Sequence, residues 1–220
     1  MRALSTGHIP SAHALGSLFN KMPNDMQNFS MEEAMALTFY QYIRGFLNGD
    51  DEMGVSNLRL SNANDGLVNS HAIIVGLAWV GKGLLMRGHE KVKDVIKFFL
   101  NLLISNGCYP TSNGSISSSE DCEDLMRAVA DSFSIIMRDS EACLNKKLHA
   151  TIKPLYKQPF FHMVMPILLS SIMKSNSPIT YKSMVHRALA HVISNTPLSA
   201  ILGEAKKLIP LMVDSLTILM

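Results

Sequence analysis

Three cysteines, Cys108, Cys122 and Cys143, are the residues of this chain best suited to holding a metal or a cluster. Cluster-binding thiolates come in tight runs, with roughly two to four residues between them. Here the gaps are 13 and 20 residues, a spacing that fits separate, buried or incidental thiols. The odd count also argues against a disulfide framework and points to a reducing compartment. His186 and His191 lie five apart, whereas a metal-binding pair on one helix face favours a spacing of about four. His13 and His162 sit among apolar neighbours and read as structural. The chain has no Gly-rich phosphate loop, no Gly-x-Gly-x-x-Gly and no Gly-x-Ser-x-Gly elbow. Glu32-Glu33 and Asp50-Asp51-Glu52 read as a helix cap and an acidic loop, with no positioned carboxylate pair. The expectation is a protein with no catalytic, cofactor or metal site, which works by binding.

Composition narrows the class. Of 220 residues, 47% are apolar and 17% charged, below the typical charged share of about 25%. A disordered chain would show the reverse balance. A formal net charge of +2 imposes no nucleic-acid partner. Two charge-free, largely apolar stretches, Gly66 to Gly81 and Gln158 to Met173, are 16 residues each. Both contain polar members, and a spanning helix needs roughly 20 mostly apolar residues, so both read as buried helices and no membrane is expected. Met1 to Pro10 lacks the apolar core of a signal peptide. The chain ends on the apolar run Leu216 to Met220, as a piece of a longer protein would.

Apolar residues recur at helical spacing throughout, and no strand alternation competes. Val92, Val95, Ile96, Phe99, Leu102 and Leu103 form one stripe, opposite Lys93, Asp94, Lys97 and Asn101. Further stripes are Met126 to Met137, Phe161 to Ile172 and Met184 to Ile193. Ser30-Met31-Glu32-Glu33 is a capping box. Residues 48–66 and 107–119, rich in Asn, Asp, Gly and Ser, read as flexible loops. Val164 to Ile172 parallels Leu208 to Leu216, with Pro166 and Pro210 lying 44 residues apart. Ala14 to Pro23 parallels Ala188 to Pro197. A helix pair recurring every 40–47 residues or so is the HEAT and armadillo period. One pair cannot bury its own stripe, but stacked pairs bury a continuous one. The predicted fold is all-α, a HEAT/armadillo-like helical-repeat solenoid, with residues 1–220 as a single array.

The predicted helices are a first one ending near Asn20, then 31–47 with 69–87, and 90–105 with 121–138. A connecting helical piece follows near 141–153. The next pair is 159–174 and 179–195, joined by a tight Ser-Asn-Ser-Pro turn, and the last helix is 204–219. Pro166 and Pro210 are tolerable within helices if they fall in a first turn, where no N–H bond is lost. Trp79, the only tryptophan, reads as inter-repeat packing. Between Glu141 and Glu204 there is no acid, while Lys146, Lys147, Lys153, Lys157, Lys174, Lys182 and Arg187 lie inside that window. Such a field suits an acidic partner surface, and equally a solvated basic face. Lys82, Arg87, Lys182 and Arg187 are expected as exposed cations on second-type helices, lining the inner curve where solenoids bind partners.

Several motifs occur together and in order: Leu77-Ala78-Trp79-Val80-Gly81-Lys82-Gly83-Leu84-Leu85-Met86-Arg87, Ala130-Asp131-Ser132-Phe133-Ser134-Ile135-Ile136-Met137, Lys157-Gln158-Pro159-Phe160-Phe161, and His186-Arg187-Ala188-Leu189-Ala190-His191-Val192 after Tyr181-Lys182. Ala12 to Leu18 precedes them. In these segments the chain resembles the late HEAT region of the MMS-nineteen nucleotide-excision-repair homologue family. The resemblance covers Ala12 to Phe19 and most of Val68 to Met220, and the two loops resemble those of plant members. It implies a non-enzymatic adaptor of the cytosolic iron–sulfur assembly targeting complex, found in nucleus and cytoplasm. Its partners would be a beta-propeller subunit, a small subunit and client apoproteins such as DNA helicases and polymerases, with no resident cofactor and no direct nucleic-acid contact. The alternative from pattern alone is a nuclear transport receptor solenoid binding acidic cargo.

Overall fold

A computed structural model describes residues 8–21, 70–104, 119–140, 152–173 and 177–219. These form α1 (Ile9–Lys21), α2 (Ser70–Arg87), α3 (Val92–Ile104), α4 (Ser119–Met137), α5 (Pro154–Ile172), α6 (Ile179–Ser194), the short α7 (Leu198–Gly203) and α8 (Ala205–Leu219). No strand occurs among the described residues. The expected helix 31–47, its capping box and the loop 48–66 lie outside them, as do residues 107–118 of the second loop. Ser119 already belongs to α4.

The helices build two rows. In one row α1 packs on α2, α2 on α4 and α4 on α6. α3 and α5 pack on each other and on these helices as the second row. This is the helical-repeat solenoid predicted from periodicity. The repeated segments beginning at Ala14 and Ala188 fall in α1 and α6, both members of the first row.

The core runs unbroken between the rows. Phe99 of α3, Phe133 of α4 and Phe160 of α5 are buried and meet in sequence, with ring centroids 6.3 Å apart at both steps. Burying each such ring is worth roughly 1.5–3 kcal/mol, and the edge-on geometry adds somewhat less. α2 lies deepest. From Ile74 to Met86 only Val75 is not buried, as expected of a helix apolar on every face. Trp79 packs edge-on against His13 of α1 at 4.1 Å between centroids. Burial holds the His13 imidazole below its ordinary value, in line with its structural reading. His162, by contrast, is exposed, with its ring near Phe161.

Two glycines set how closely these elements approach. A side chain on Gly83 would run into the Gly16 carbonyl oxygen, so α1 and α2 touch through backbone. Gly88 ends α2 at φ 70°. Its N–H donates to Leu85 O (3.1 Å) and that of His89 to Leu84 O (3.0 Å). These two bonds make a Schellman cap, which favours glycine at the left-handed position. A Cβ at Gly88 would also strike the Tyr156 ring.

Several expected boundaries move. α5 begins at Pro154, five residues before the predicted start at 159. Lys153 is extended, and proline at the first helical position has the right φ and no bond to lose. Lys157 and Pro159 hide this turn in the sequence because they interrupt the apolar stripe. Pro166 and Pro210 stand inside α5 and α8, not in their first turns. Both are exposed, as is Pro159, so the carbonyls they leave without an N–H partner can be hydrated. Ile152 and Lys153 are not helical, which contradicts the end of the predicted piece 141–153; residues 141–151 lie outside the described ones. The final helix 204–219 is preceded by an unforeseen short helix, α7.

The close approach of α1 and α2 yields a contrast. Gly83→Ala should lower stability by about 1–3 kcal/mol through overpacking. Gly203→Ala, where a Cβ meets nothing within 4 Å, should leave it unchanged or raise it by about 0.5 kcal/mol. Urea unfolding of the two variants beside the parent measures both.

Candidate interaction surface

The four cations expected on the inner curve have different fates. Lys82 is the clearest departure: it is 1% exposed, not a surface cation. Its ammonium donates to Ile135 O (3.1 Å) and to Arg138 O, at the end of α4. It also lies 5.6 Å from the Trp79 ring centroid. Burial pushes its pKa down to about 8, only partly offset by Asp139. Arg87, half-buried, donates from Nη1 to Phe19 O (3.1 Å) at the end of α1. The last carbonyls of a helix have no partner within it, and their partial negative charge favours a cation. Lys82 and Arg87 therefore cap neighbouring helices.

Arg187 is exposed, and it too reaches across a junction. Its Nε donates to Asp131 Oδ1 (2.5 Å) and its Nη2 to Oδ2 (3.1 Å), joining α6 to α4. His191 Nε2 lies 2.9 Å from Asp131 Oδ1. Burial pushes the Asp131 carboxyl up, but the hydrogen bonds from Arg187 and His191 prevail and hold it below its ordinary value. The carboxylate is thus an acceptor, and the His191 nitrogen is the donor. Sequence spacing put His186 and His191 on different faces. In the structure His191 joins the Asp131 cluster, while burial and then Lys182 lower the half-buried His186.

The acid-free window is not acid-free in space. Lys157 is buried and donates to Asp139 Oδ1 (3.2 Å), which also accepts from Ile152 N (3.0 Å). Asp131 and Asp139 from α4 and its end thus neutralise two of the seven window cations. Lys146, Lys147 and Lys174 lie outside the described residues. Lys153, exposed, and Lys182, half-buried, have no acidic partner among the described residues. On α4, Arg127 pairs with Glu123 (3.1 Å) and Asp124 (3.2 Å) within its own helix.

Among the described residues no three His, Cys, Asp or Glu side chains are placed to hold a metal ion. Cys108 and Cys143 lie outside them, as does the side chain of Cys122. No described helix is long and apolar enough to cross a membrane. What the geometry offers is a polar, mixed-charge surface along α4 and α6, carried on a rigid stack. The sequence missed one feature of it, an open groove of about 610 Å³ where the ends of α4 and α6 meet the start of α5. A family model described as RNAPII transcription regulator C-terminal, MMS19_C, matches residues 5–219. The chain belongs to the MMS19 family. It is 42% identical over 231 residues to the MMS19 nucleotide excision repair protein homolog of Arabidopsis thaliana, covering 98% of this chain and 20% of that protein. Homologs from Danio rerio and Xenopus laevis are 29% and 27% identical over 141 residues, covering 64% of the chain and 12% of each relative. The chain thus spans a fifth or less of the length of these relatives. The match with the Arabidopsis protein fits the resemblance of the loops to plant members.

Replacing Lys82 tests its capping role. Lys82→Ala should cost about 3 kcal/mol, because it leaves a cavity and two under-bonded carbonyls. The lowered pKa also has a direction. Below about pH 8 the ammonium is charged in both folded and unfolded chains and its full burial cost is present. As pH rises above 8 the folded chain gives up the proton first, so stability rises, by about 1 kcal/mol at pH 9. Lys82→Met lacks this term, so the melting temperature of the parent should gain on that of the variant between pH 7 and 9.

Proposed function

We propose that this chain is part of a non-enzymatic scaffold of the cytosolic iron–sulfur cluster assembly machinery. In this reading it links the targeting complex to client apoproteins, DNA repair and replication enzymes among them, in nucleus and cytoplasm. Membership of a family whose relatives are named nucleotide excision repair protein homologs carries the reading. The fold supports it, because a stack of helix pairs offers a long surface on which several proteins can be held at once. The mechanism is proximity: tethering client and assembly machinery raises their effective concentration without chemistry in the scaffold itself. Protein partners would be the beta-propeller and small subunits of the targeting complex, with no direct nucleic-acid contact and no resident cofactor. The transport-receptor alternative drew on the acid-free basic window, and the ion pairs to Asp131 and Asp139 weaken that support.

The same ion pairs change which substitution is informative. Arg187→Glu would face Asp131 and disturb the α4–α6 junction along with any partner contact. Lys182 has no acidic partner among the described residues, so Lys182→Glu is the clean probe. The tagged chain should co-elute with purified propeller and small subunits, and Lys182→Glu should weaken that capture several-fold at unchanged helicity. Absence of co-elution would count against the proposal, and full capture by the variant would move the contact away from α6.

A further inference from the structure

The groove at the corner of α4, α5 and α6 is lined by Arg138, Asp139, Pro154, Lys157, Asn195 and Pro197, among others. We infer that it receives an acidic segment of a protein partner, with carboxylates directed at Arg138 and Lys153. The inference deepens the scaffold reading, on which it rests, by naming the chemistry of the segment that docks.

The charge balance carries the argument. Asp139 is the only acid among the described lining residues, and its Oδ1 already accepts from Ile152 N and the Lys157 ammonium. Its charge is therefore largely spent inside the junction. Arg138 is exposed, and its guanidinium has no partner among the described residues; its backbone N–H donates to Ser134 O and its carbonyl accepts from Lys82. Lys153, also exposed, stands between the lining residues Ile152 and Pro154. The described lining thus presents one uncommitted cation, Arg138, against one committed acid, and Lys153 stands beside it.

The remaining lining suits a polypeptide. Thr196 Oγ1 and Asn195 Nδ2 are turned inward, donating to Val192 O and His191 O at 2.7 Å each. The Asn195 carbonyl oxygen stays available to accept, and the exposed Ser194 hydroxyl to donate or accept. Pro154 and Pro197 add rigid apolar edges on which side chains between the acids can rest. A nucleic-acid strand fits less well, because no aromatic ring stands among the described lining residues for base stacking. A polypeptide can place its acids at the two cations and its neutral residues beside Asp139.

The test uses the 220-residue chain and a short fluorescein-labelled peptide in which Asp and Glu alternate with Leu and Gly. Anisotropy should report saturable binding that weakens with salt, and the Asn/Gln counterpart of the peptide should bind at least about tenfold more weakly. Arg138→Glu with Lys153→Glu should weaken the acidic peptide about tenfold or more. Both side chains are exposed, and the Arg138 carbonyl that Lys82 uses is retained; a circular dichroism spectrum checks the fold. Lys97→Glu, on the exposed face of α3 and outside the groove lining, should leave peptide affinity unchanged. Equal binding by the groove variant overturns the inference, as does tighter binding of a single-stranded oligonucleotide at the same site. Loss of peptide dependence on Arg138 with subunit capture intact overturns the groove alone. Peptide binding that follows Arg138 without subunit capture supports the groove and counts against the scaffold identity.

Discussion

The end of a helix leaves carbonyls with no partner inside it, and in this molecule cations from neighbouring helices supply the missing donors. Lys82 of α2 closes the end of α4, and Arg87 of α2 closes the end of α1. Asp139, just beyond α4, then takes the Ile152 N–H and the Lys157 ammonium. Asp139 thus ties the residues just beyond α4 to the start of α5. Hydrophobic stacking supplies most of the stabilisation, as the Phe99–Phe133–Phe160 ladder shows. The capping bonds specify which helix end meets which, since a buried ammonium without acceptors would be severely penalised.

This economy explains both what was legible in the sequence and what was hidden. The stripes of α3, α4 and α6 are written at helical spacing, and the elements formed close to where the spacing puts them. The repeat was also readable: the matching segments at Ala14 and Ala188 occupy equivalent helices because both bury the same face against the same row. The first turn of α5 was hidden because Lys157 looks like a surface residue. Only Asp139, 18 positions earlier, makes its burial tolerable. A distant partner of this kind leaves no local signature.

Lys82 was misplaced for the same reason, although a signal was available. α2 has no polar face: Gly76, Ala78, Gly81 and Gly83 alternate with large apolar residues, and a single lysine interrupts them. A helix apolar all round is surrounded, so the cation in its interior, Lys82, had to find acceptors inside. The basic window likewise overstated the surface field, because pairing with Asp131 and Asp139 depends on the stacking of α6 and α5 against α4 and its end. What remains for partners is the smaller set of cations that no junction uses, Arg138, Lys153 and Lys182 among them.

Lys82 couples α2 to the end of α4. Hydrogen exchange read by mass spectrometry on the parent and on Lys82→Met tests it most directly. Loss of this link should speed exchange in two places at once, along α2 and in the last turn of α4 around Ile135 to Arg138, with α6 little changed. Faster exchange confined to α2, or identical exchange in the two proteins, would contradict it.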